Sequence, residues 1–427
     1  MTLLCLLCLM MIKKMSNMLK IAVIGAGASG LAAAIFAAQE ASRKNKKVSI
    51  TLYESNPRVG KKILVTGNGR CNFSNENITA SHFRGESEFA FDVYSRFTNE
   101  SAVEFFRSLG LCSRSDSAGR IYPMSLQAAA VLDVLRCETV RRRIREVTET
   151  KITSVKRNGS GFLLNDRYYA DRVILATGGK AAPVQGSDGS GFALIKPFGI
   201  SCSPLLPALT PIVCTDFTRS LKGIRAQGKI SVRLGGKILS EDTGEIQYTD
   251  YGLSGIPSMQ VSRFVAEALD GGRSDVVAVV DSAPAFTAEE LRAVLTQINT
   301  AHPSFTGEML LGSIMPKKLG AFLLSEISIN PQKETGRLHD AVIDKIVSAV
   351  KNKKYKISSV RGFADAQVTA GGISASEINP STMELKKVKG MHVCGEIVDV
   401  DGECGGYNLQ WAWSSAYVAG TAAVQEN

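Results

Sequence analysis

The chain has 427 residues, of which 44% are hydrophobic, so it is long enough to bury two or three domain cores. Its nine cysteines show no disulfide-framework spacing, which argues against a small secreted scaffold and favours reduced thiols in the cytoplasm. A formal net charge of +10 would suit nucleic acid, but the densest basic cluster, residues 141–145, lacks interleaved aromatic residues. We therefore expect no nucleic-acid partner, with RNA as the alternative that the charge favours.

The first 18 residues are predicted to be a leader that plays no part in the fold. Residues 3–12 form an apolar decapeptide, and two lysines follow it. A signal peptide carries its positive charges before the apolar run, and a membrane span needs about 20 apolar residues, so neither template fits. We expect no stable membrane association, with a short membrane-contacting tail as the alternative.

A chain that begins at Met18 should match the full-length chain in cofactor content and melting temperature. A melting temperature lower by several degrees after truncation would contradict this prediction.

The first structured element is predicted to be a strand over residues 19–24, followed by a glycine-rich turn. Gly25, Gly27 and Gly30 have the G-x-G-x-x-G spacing, Ser29 lies between the last two, and Glu54 ends the next apolar run. In this context the first glycine permits a sharp turn, the second lets a pyrophosphate approach, and the third lets the helix pack on the sheet. The helix N-terminus offers free N–H groups to phosphate, and Glu54 would accept hydrogen bonds from ribose hydroxyls. The stretch therefore predicts a dinucleotide site.

The next segments predict a functional loop, then helices and strands. Residues 60–75 are too rich in Gly and Asn for regular structure, and Arg70 and Asn72 could supply donors to a ligand. Helical spacing of apolar residues predicts a helix over residues 89–109 and another over residues 128–135. Residues 152–169 predict a β-meander, and residues 171–176 predict a buried strand that ends in Thr177-Gly-Gly.

Composition changes near residue 200. Residues 229–234 alternate, Gly235-Gly236 is a hairpin signal and residues 242–244 predict the next turn, so residues 201–283 should form a small antiparallel sheet or barrel. Thr287 and Glu290 form a capping box, which predicts a helix from Ala288, and apolar spacing predicts another over residues 338–350. A strand over residues 391–394 and an Ala-rich helix over residues 411–424 are predicted to end the chain.

Three glycine-rich strand ends are far apart in the sequence, at residues 25–30, 177–179 and 395–406. In an open parallel sheet such ends meet at the same edge. Their convergence on one extended cofactor suits FAD better than NAD, and the sequence has no second G-x-G-x-x-G that would mark a nicotinamide domain. We therefore predict FAD as the cofactor and NAD(P)H as a transient co-substrate.

Several short motifs, spread in order from Met18 to the C-terminus, carry a resemblance to a known family. They are GKKIL (60–64), TGNGRCN (66–72), GRIYP (119–123), ATGG (176–179), LSGIP (253–257), VTAGG (368–372), GE (395–396) and GGYNLQ (405–410). As a set they resemble the BaiN/RdsA-type family of NAD(P)/FAD-dependent oxidoreductases. This family includes enzymes described as aminoacetone oxidase-like and as reductases of unsaturated 3-oxo bile acids.

The resemblance implies an α/β fold and roles for particular residues. It implies a glutathione-reductase-like FAD-binding Rossmann domain (19–200 and 369–427), an inserted β-barrel domain (201–283 and 352–368) and a helical domain (284–351). The adenosine-diphosphate half of FAD would be bound by Gly25, Gly27, Ser29, Gly30, Glu54 and Gly178. The pyrophosphate and flavin side would be lined by Lys62, Gly67, Arg70, Cys71 and Asn72. The ribityl chain and ring would meet Glu396, Asp399, Gly406, Tyr407 and Asn408.

Cysteine, histidine and tyrosine side chains are the candidates for redox, metal-binding and acid–base roles. Cys394 and Cys404 are ten positions apart rather than in C-x-x-C, so we expect no redox disulfide. The four histidines lack metal-ligand spacing, so we expect no metal and a structural role for each of them (His82, His302, His339, His392). Tyr122 and Tyr407 are the better candidates for a catalytic acid, with packing on the flavin as the alternative role.

The predicted function is NAD(P)H-driven reduction of a small organic substrate with an activated C=C, such as an unsaturated 3-oxo steroid or bile acid. An aminoacetone-type amine oxidase that uses O₂, and a non-catalytic FAD-binding redox regulator, are the alternatives. The helix after Asn408 would present free N–H groups to the edge of the flavin where the reduced ring carries negative charge. With one nucleotide domain, NAD(P)H and substrate would visit the same face, which predicts ping-pong kinetics.

Overall fold

The computed structural model of the chain describes residues 18–215, 217 and 219–425. The predicted leader, apart from Met18, lies outside these residues. The described chain divides into two compact units: one holds the residues up to Leu205 and those from Val368 onward, and the other is Leu206–Gln367. Within the described ranges, no helix combines the length and the apolar character that crossing a bilayer requires. The three-domain boundaries given above stay a prediction.

The first unit is built on a seven-stranded sheet whose central strands are parallel. Val23 and Leu52, in two of these strands, are fully buried, as expected for parallel strands that are covered on both faces. In spatial order the strands are β20 (Ile378–Asn379), β21 (Glu384–Leu385), β22 (Met391–Val393), β11 (Arg172–Leu175), β1 (Leu19–Ile24), β2 (Val48–Tyr53) and β7 (Arg145–Val147).

The carboxyl ends of three neighbouring strands meet at one edge of this sheet. Ile24 at the end of β1 lies opposite both Tyr53 in β2 and Leu175 in β11. The glycine-rich turn, Glu54 and Ala176 follow these strands directly, so the parallel topology brings together segments that are far apart in sequence. This is the edge at which open α/β sheets bind their ligands.

Two long helices, α1 (Ala28–Arg43) and α11 (Tyr407–Ala422), pack against each other beside the sheet and are almost wholly buried. A Cβ atom at Gly420 would lie 2.4 Å from the carbonyl oxygen of Ala33, so this glycine permits their close approach. The helix predicted over residues 89–109 is in fact two helices, because Thr98 interrupts it and caps the second by accepting a hydrogen bond from Ser101 N–H at 3.4 Å. The other helices of this unit are α2 (Ser87–Ser95), α3 (Asn99–Ser108), α4 (Ala128–Arg141) and α5 (Gly191–Ile195).

Small sheets complete the first unit. The predicted meander is confirmed as β8 (Val155–Asn158), β9 (Gly161–Leu164) and β10 (Tyr168–Ala170), all antiparallel. A second sheet contains β3 (Ser74–Asn75), β6 (Arg120–Pro123) and β5 (Ser113–Ser115), and a third pairs β4 (Phe83–Gly85) with β23 (Val400–Gly402). Strand β19 (Val368–Ala370) opens the C-terminal segment of the unit. The third sheet fixes residues 83–85 beside the glycine-rich stretch that precedes α11.

The second unit contains a closed barrel, which agrees with the prediction for residues 201–283. The turn predicted at residues 242–244 is wrong, because one strand runs through it with Gly244 opposite Gly228. The ladder hydrogen bonds satisfy the backbone there and outweigh the local turn preference. In spatial order the barrel strands are β13 (Ile212–Cys214), β16 (Gly252–Ser254), β15 (Lys237–Tyr248), β14 (Arg225–Leu234), β17 (Val276–Asp281) and β18 (Lys353–Val360), and β12 (Leu206–Ala208) precedes them.

Helices pack on the barrel and share one hydrophobic cluster with it. The predicted capping box is confirmed in both halves: Thr287 Oγ1 accepts from Glu290 N–H at 3.1 Å, and Glu290 Oε2 accepts from Thr287 N–H at 2.8 Å. The first helix of the unit lies inside the segment predicted to be all strand, and Pro257 in its first turn was the signal for it. The helices are α6 (Ile256–Asp270), α7 (Ala288–Ala301), α8 (Gly307–Gly312), α9 (Lys317–Glu326) and α10 (Asp340–Lys351).

Candidate dinucleotide site

The three glycines of the first turn have different surroundings. A Cβ atom at Gly25, where φ is +96°, would lie 2.5 Å from the carbonyl oxygen of Ala176, and one at Gly30 would lie 1.9 Å from the carbonyl oxygen of Gly25. A Cβ atom at Gly27 would have no atom of the described residues within 4 Å. Gly27 also precedes α1 without a side chain to cap it, so the first-turn N–H groups face a space that a phosphate can enter.

Glu54 lies under this turn and is only 9% exposed. One carboxylate oxygen accepts from Ala26 N–H at 3.0 Å, and the other accepts from the backbone and side-chain amides of Asn56, both at 2.8 Å. These bonds hold the carboxylate beside the glycine-rich turn. Its predicted hydrogen bonds with a ribose stay a prediction.

The segment after β11 contributes two hydroxyl groups that were not among the predicted site residues. Gly178 has φ of +72°, and a Cβ atom there would lie 2.9 Å from Ser187 Oγ. Thr177 Oγ1 and Ser187 Oγ are both buried without a hydrogen-bond partner among the described residues. Buried hydroxyls are normally satisfied, so their surroundings suit a polar ligand.

Lys62 and Glu396, both predicted to bind the cofactor, form an ion pair with 2.8 Å between Nζ and Oε2. The other oxygen of Glu396 accepts from Thr369 N–H at 2.8 Å, and Thr369 Oγ1 accepts from the N–H groups of Lys180 and Ala181 at 2.7 and 2.9 Å. Thr369 was not among the predicted site residues, although it lies within the VTAGG motif. This network joins the loop after Gly60, the end of β11 and the C-terminal segment.

The remainder of the loop after Gly60 meets the N-terminus of α11. Gly67 has φ of +55°, and a Cβ atom there would lie 2.9 Å from the backbone nitrogen of Asn72. A Cβ atom at Gly406, where φ is +99°, would lie 2.2 Å from the carbonyl oxygen of Ser74 and 2.7 Å from Asn72 Oδ1. Arg70 is exposed on the same loop. The structure therefore brings Asn72 and Gly406 together, as the resemblance implied for the flavin side.

The stretch before α11 holds two further predicted residues in unlike surroundings. Asp399 is buried, and its Oδ1 atom has no hydrogen-bond partner in the part of the chain that the structure describes. Asn408 is already engaged, because its side chain accepts from Gly402 N–H at 2.8 Å and donates to the Gly402 carbonyl at 2.7 Å. The side chain of Asn408 therefore holds the backbone of this stretch at Gly402, and it would contact a ligand only by sharing these hydrogen bonds.

The two candidate acids differ in burial. Tyr407 is 7% exposed at the start of α11, and its ring stacks on the ring of His82 with 4.4 Å between centroids and 10° between planes. Burial raises the pKa of Tyr407, nearby Glu403 raises it further, and Arg120 opposes the shift. Tyr122 is half-buried in β6, opposite Arg114.

The buried thiols provide a test of the site's packing. Cys71 and Cys394 are fully buried free thiols, and burial raises the pKa of each to about 12. Because the thiolate is the reactive form, neither should react with iodoacetamide at pH 8 in folded protein, while exposed Cys112 and Cys137 should. Mass mapping before and after unfolding measures this, and early labelling of Cys394 would contradict the packing described here.

The surroundings of these residues fit a bound FAD. Within the described ranges, four buried oxygen atoms lack hydrogen-bond partners, and an extended ligand with hydroxyl, amide and phosphate groups would satisfy them: Asn72 Oδ1, Thr177 Oγ1, Ser187 Oγ and Asp399 Oδ1. The space in front of Gly27 fits the pyrophosphate. Among the described residues, no three His, Cys, Asp or Glu side chains are grouped to hold a metal ion. The fold and site define a Rossmann-type flavoprotein.

Comparison with known proteins identifies the family. Residues 19–422 match the family described as HI0933-like protein Rossmann domain. The chain belongs to this family, that of the BaiN/RdsA-type FAD-dependent oxidoreductases, which confirms the resemblance. The chain is therefore an FAD-dependent oxidoreductase.

Three relatives of this chain have names that indicate different substrates. The chain is 41% identical to a 3-dehydro-bile acid delta(4,6)-reductase of Clostridium scindens over 412 residues, which cover 95% of this chain and 99% of the relative. It is 27% identical to a ribosomal RNA dihydrouridine synthase of Haemophilus influenzae, over 92% of this chain and 96% of the relative. A protein of the same name from Escherichia coli is 26% identical over 92% and 95%. These two relatives leave the predicted absence of a nucleic-acid partner without support.

Proposed function

We propose that the chain reduces an activated C=C of a small 3-oxo compound, such as an unsaturated 3-oxo steroid or bile acid, with electrons from NAD(P)H. The observation that carries this proposal is the 41% identity, over nearly the full length of both chains, to a reductase of that substrate class. Tyr407 is buried and is proposed below as a proton donor, which suits this reaction because reduction of a C=C adjacent to a carbonyl adds a hydride and a proton. The cytoplasm is the proposed compartment, since exposed Cys112 and Cys137 are free thiols.

FAD, when bound, supplies hydride transfer. The residues proposed to hold it fall into three groups along the sheet edge. The turn residues Gly25, Gly27, Ser29 and Gly30, with Glu54 and Gly178, would hold the adenosine diphosphate. Lys62, Gly67, Arg70, Cys71 and Asn72 would line the pyrophosphate and ring, and Glu396, Asp399, Gly406, Tyr407 and Asn408 would meet the ribityl chain and ring. To these we add Thr177, Ser187 and Thr369 from the network described above.

The proton is proposed to come from a tyrosine. Tyr407 holds its proton firmly because burial raises its pKa, which suits a group that must arrive protonated and deliver a proton to the substrate. Tyr122 is the second candidate. The start of α11 at Tyr407, after the uncapped Gly406, would favour negative charge on a group bound beside it.

RNA is a second candidate substrate. Two relatives, at 27% and 26% identity, are named as ribosomal RNA dihydrouridine synthases, and the net charge of +10 suits a phosphate backbone. The C5=C6 bond of uridine is also conjugated to a carbonyl, so the same proton donor and hydride source would serve. Substrate size and charge, rather than the chemistry, separate the two proposals.

Anaerobic spectroscopy of the purified protein tests these proposals. We expect NADH or NADPH to bleach the flavin, and an unsaturated 3-oxo steroid to restore its colour at a rate that supports turnover. Restoration by a uridine-containing ribosomal RNA fragment but not by the steroid would favour the second candidate. Bleaching by aminoacetone but by neither nicotinamide would instead favour the amine oxidase, and no bleaching by any of them would favour a non-catalytic regulator.

A further inference from the structure

Histidine 82 was expected to be structural, yet it lies against the residue proposed as the proton donor. The two rings are 4.4 Å apart and nearly parallel. Two glycines also pack closely against the side chain of Tyr407. A Cβ atom at Gly402 would lie 2.7 Å from Tyr407 Cβ, and one at Gly405 would lie 2.7 Å from Tyr407 Cε2. The phenol ring therefore has an imidazole stacked on it and the backbone of Gly405 close to its Cε2 atom.

His82 is itself fixed in orientation and tautomer. Its Nδ1 atom accepts from Thr79 N–H at 3.1 Å, and because a backbone N–H can only donate, Nδ1 carries no proton and Nε2 carries one when the ring is neutral. Its carbonyl oxygen accepts from Glu403 N–H at 3.1 Å. Strand β4, which follows His82, pairs with β23, and Arg84 forms an ion pair with Glu403. The backbone at His82 is therefore anchored to the stretch that leads into Tyr407, and the imidazole is held by Thr79.

We propose that His82 is a positioning residue: its stacked imidazole fixes the plane of the Tyr407 ring so that the hydroxyl is presented to the substrate. This inference rests on the proposed function, in which Tyr407 donates the proton. A stacked neighbour removes ring motion, and proton transfer is sensitive to displacements of about 1 Å, which can cost a hundredfold in rate. The sequence gives no hint of the pair, because residues 82 and 407 are far apart in the chain and are brought together by distant segments, among them the paired strands β4 and β23.

Two substitutions distinguish the effect of the His82 ring from the effect of its hydrogen bond with Thr79. His82→Phe keeps an aromatic ring on Tyr407 but loses the acceptor for Thr79 N–H. His82→Asn keeps an acceptor but loses the ring. His302→Asn is the matched control, because His302 stacks on Phe305 in the second unit with 4.5 Å between centroids and 11° between planes.

The first measurement is fluorine NMR of FAD-loaded protein that contains 3-fluorotyrosine, with the Tyr407 signal assigned by its loss in Tyr407→Phe. We expect the signal to keep its position in His82→Phe and His302→Asn. In His82→Asn it should move and narrow, because the ring current of the imidazole is gone and the phenol ring moves faster. An unchanged Tyr407 signal in His82→Asn would overturn the inference whatever the substrate is.

The second measurement is turnover of an unsaturated 3-oxo steroid. We expect His82→Asn to lower kcat by about tenfold to a hundredfold with KM changed less than about twofold, and His82→Phe to retain most of kcat. In a Tyr407→Phe background, His82→Asn should add no further loss, since the ring would then have no hydroxyl to present. An equal loss in both backgrounds, or none in either, would overturn the inference. If wild-type protein reduces no such steroid, the proposed function fails, and the fluorine signal still decides whether His82 orders Tyr407.

Discussion

Gly27→Val is expected to give folded protein without flavin. The backbone at Gly27 is extended, with φ of −80° and ψ of −162°, a conformation that valine adopts readily, and a Cβ atom there meets no protein atom within 4 Å. The branched side chain would therefore fit the protein and occupy the space proposed for the pyrophosphate. Absorbance near 450 nm should be lost, while the circular dichroism spectrum should match that of wild-type protein stripped of FAD.

Melting temperature gives a second measure of the same change. At an FAD concentration of about 100 times Kd, bound flavin should stabilise wild-type protein by about 2.7 kcal/mol, and the variant should gain nothing. Gly30→Ala is the contrast, because its Cβ atom would lie 1.9 Å from the carbonyl oxygen of Gly25, so it should lower stability even without flavin. Gly362→Val is the control, since a Cβ atom there also has no neighbour within 4 Å. Full FAD content in Gly27→Val would refute the proposed path of the pyrophosphate.

Tyr407→Phe is expected to lower kcat for steroid reduction by about 10²- to 10⁴-fold, the usual contribution of a positioned general acid. FAD content and the rate of flavin bleaching by NAD(P)H should stay near wild type, because neither needs the proton. The pKa of Tyr407 is raised by burial above the ordinary value of about 10, so wild-type turnover that depends on this acid should hold at neutral pH and fall only in strongly alkaline solution.

Tyr122→Phe is the matched comparison, because it removes the same atom from the other candidate. If only Tyr122→Phe slows turnover, the proton donor is Tyr122 and the role proposed for Tyr407 is wrong. If neither does, the proton comes from another group or from water. Stopped-flow measurement of flavin reoxidation isolates this step from reduction by NAD(P)H.

The parts of the site that could be predicted are those with a local signal. Gly25, Gly30 and Glu54 each have a signal within one βαβ unit. Gly25 marks the sharp turn, Gly30 marks the close packing of the helix, and Glu54 marks the end of the second strand. The rule that parallel strands end at a common edge predicted that residues 177–179 lie near the glycine-rich turn, and the order of β1, β2 and β11 confirms that these segments meet. The role of Gly178 itself came from the family resemblance and stays a prediction. Local sequence was sufficient wherever neighbours in the fold are neighbours in the chain or obey that rule.

The residues that were missed depend on distant partners. Thr369 joins the network through Glu396 and the backbone at Lys180, and although it lies in the VTAGG motif, the motif alone does not show which distant groups its hydroxyl contacts. The turn predicted at residues 242–244 failed for the same reason, because the pairing of Gly244 with Gly228 across β15 and β14 decided the local conformation. Propensity predicts turns well only when no ladder competes for the backbone.

The insertion of β22 beside β11 has a consequence for synthesis on the ribosome. Leu175 in β11 pairs with Val393 in β22. During synthesis, β11 therefore leaves the exit tunnel roughly 200 residues before β22 does. At 5–20 residues per second, β11 would wait about 10–40 s as an unpaired edge, able to pair with another nascent chain. Gly406 and Asn408, which are proposed to meet the flavin, are made later still, so the proposed site is complete only after this interval. Yield in the cell should therefore depend on translation speed and on chaperones more steeply than the stability of the finished protein would suggest.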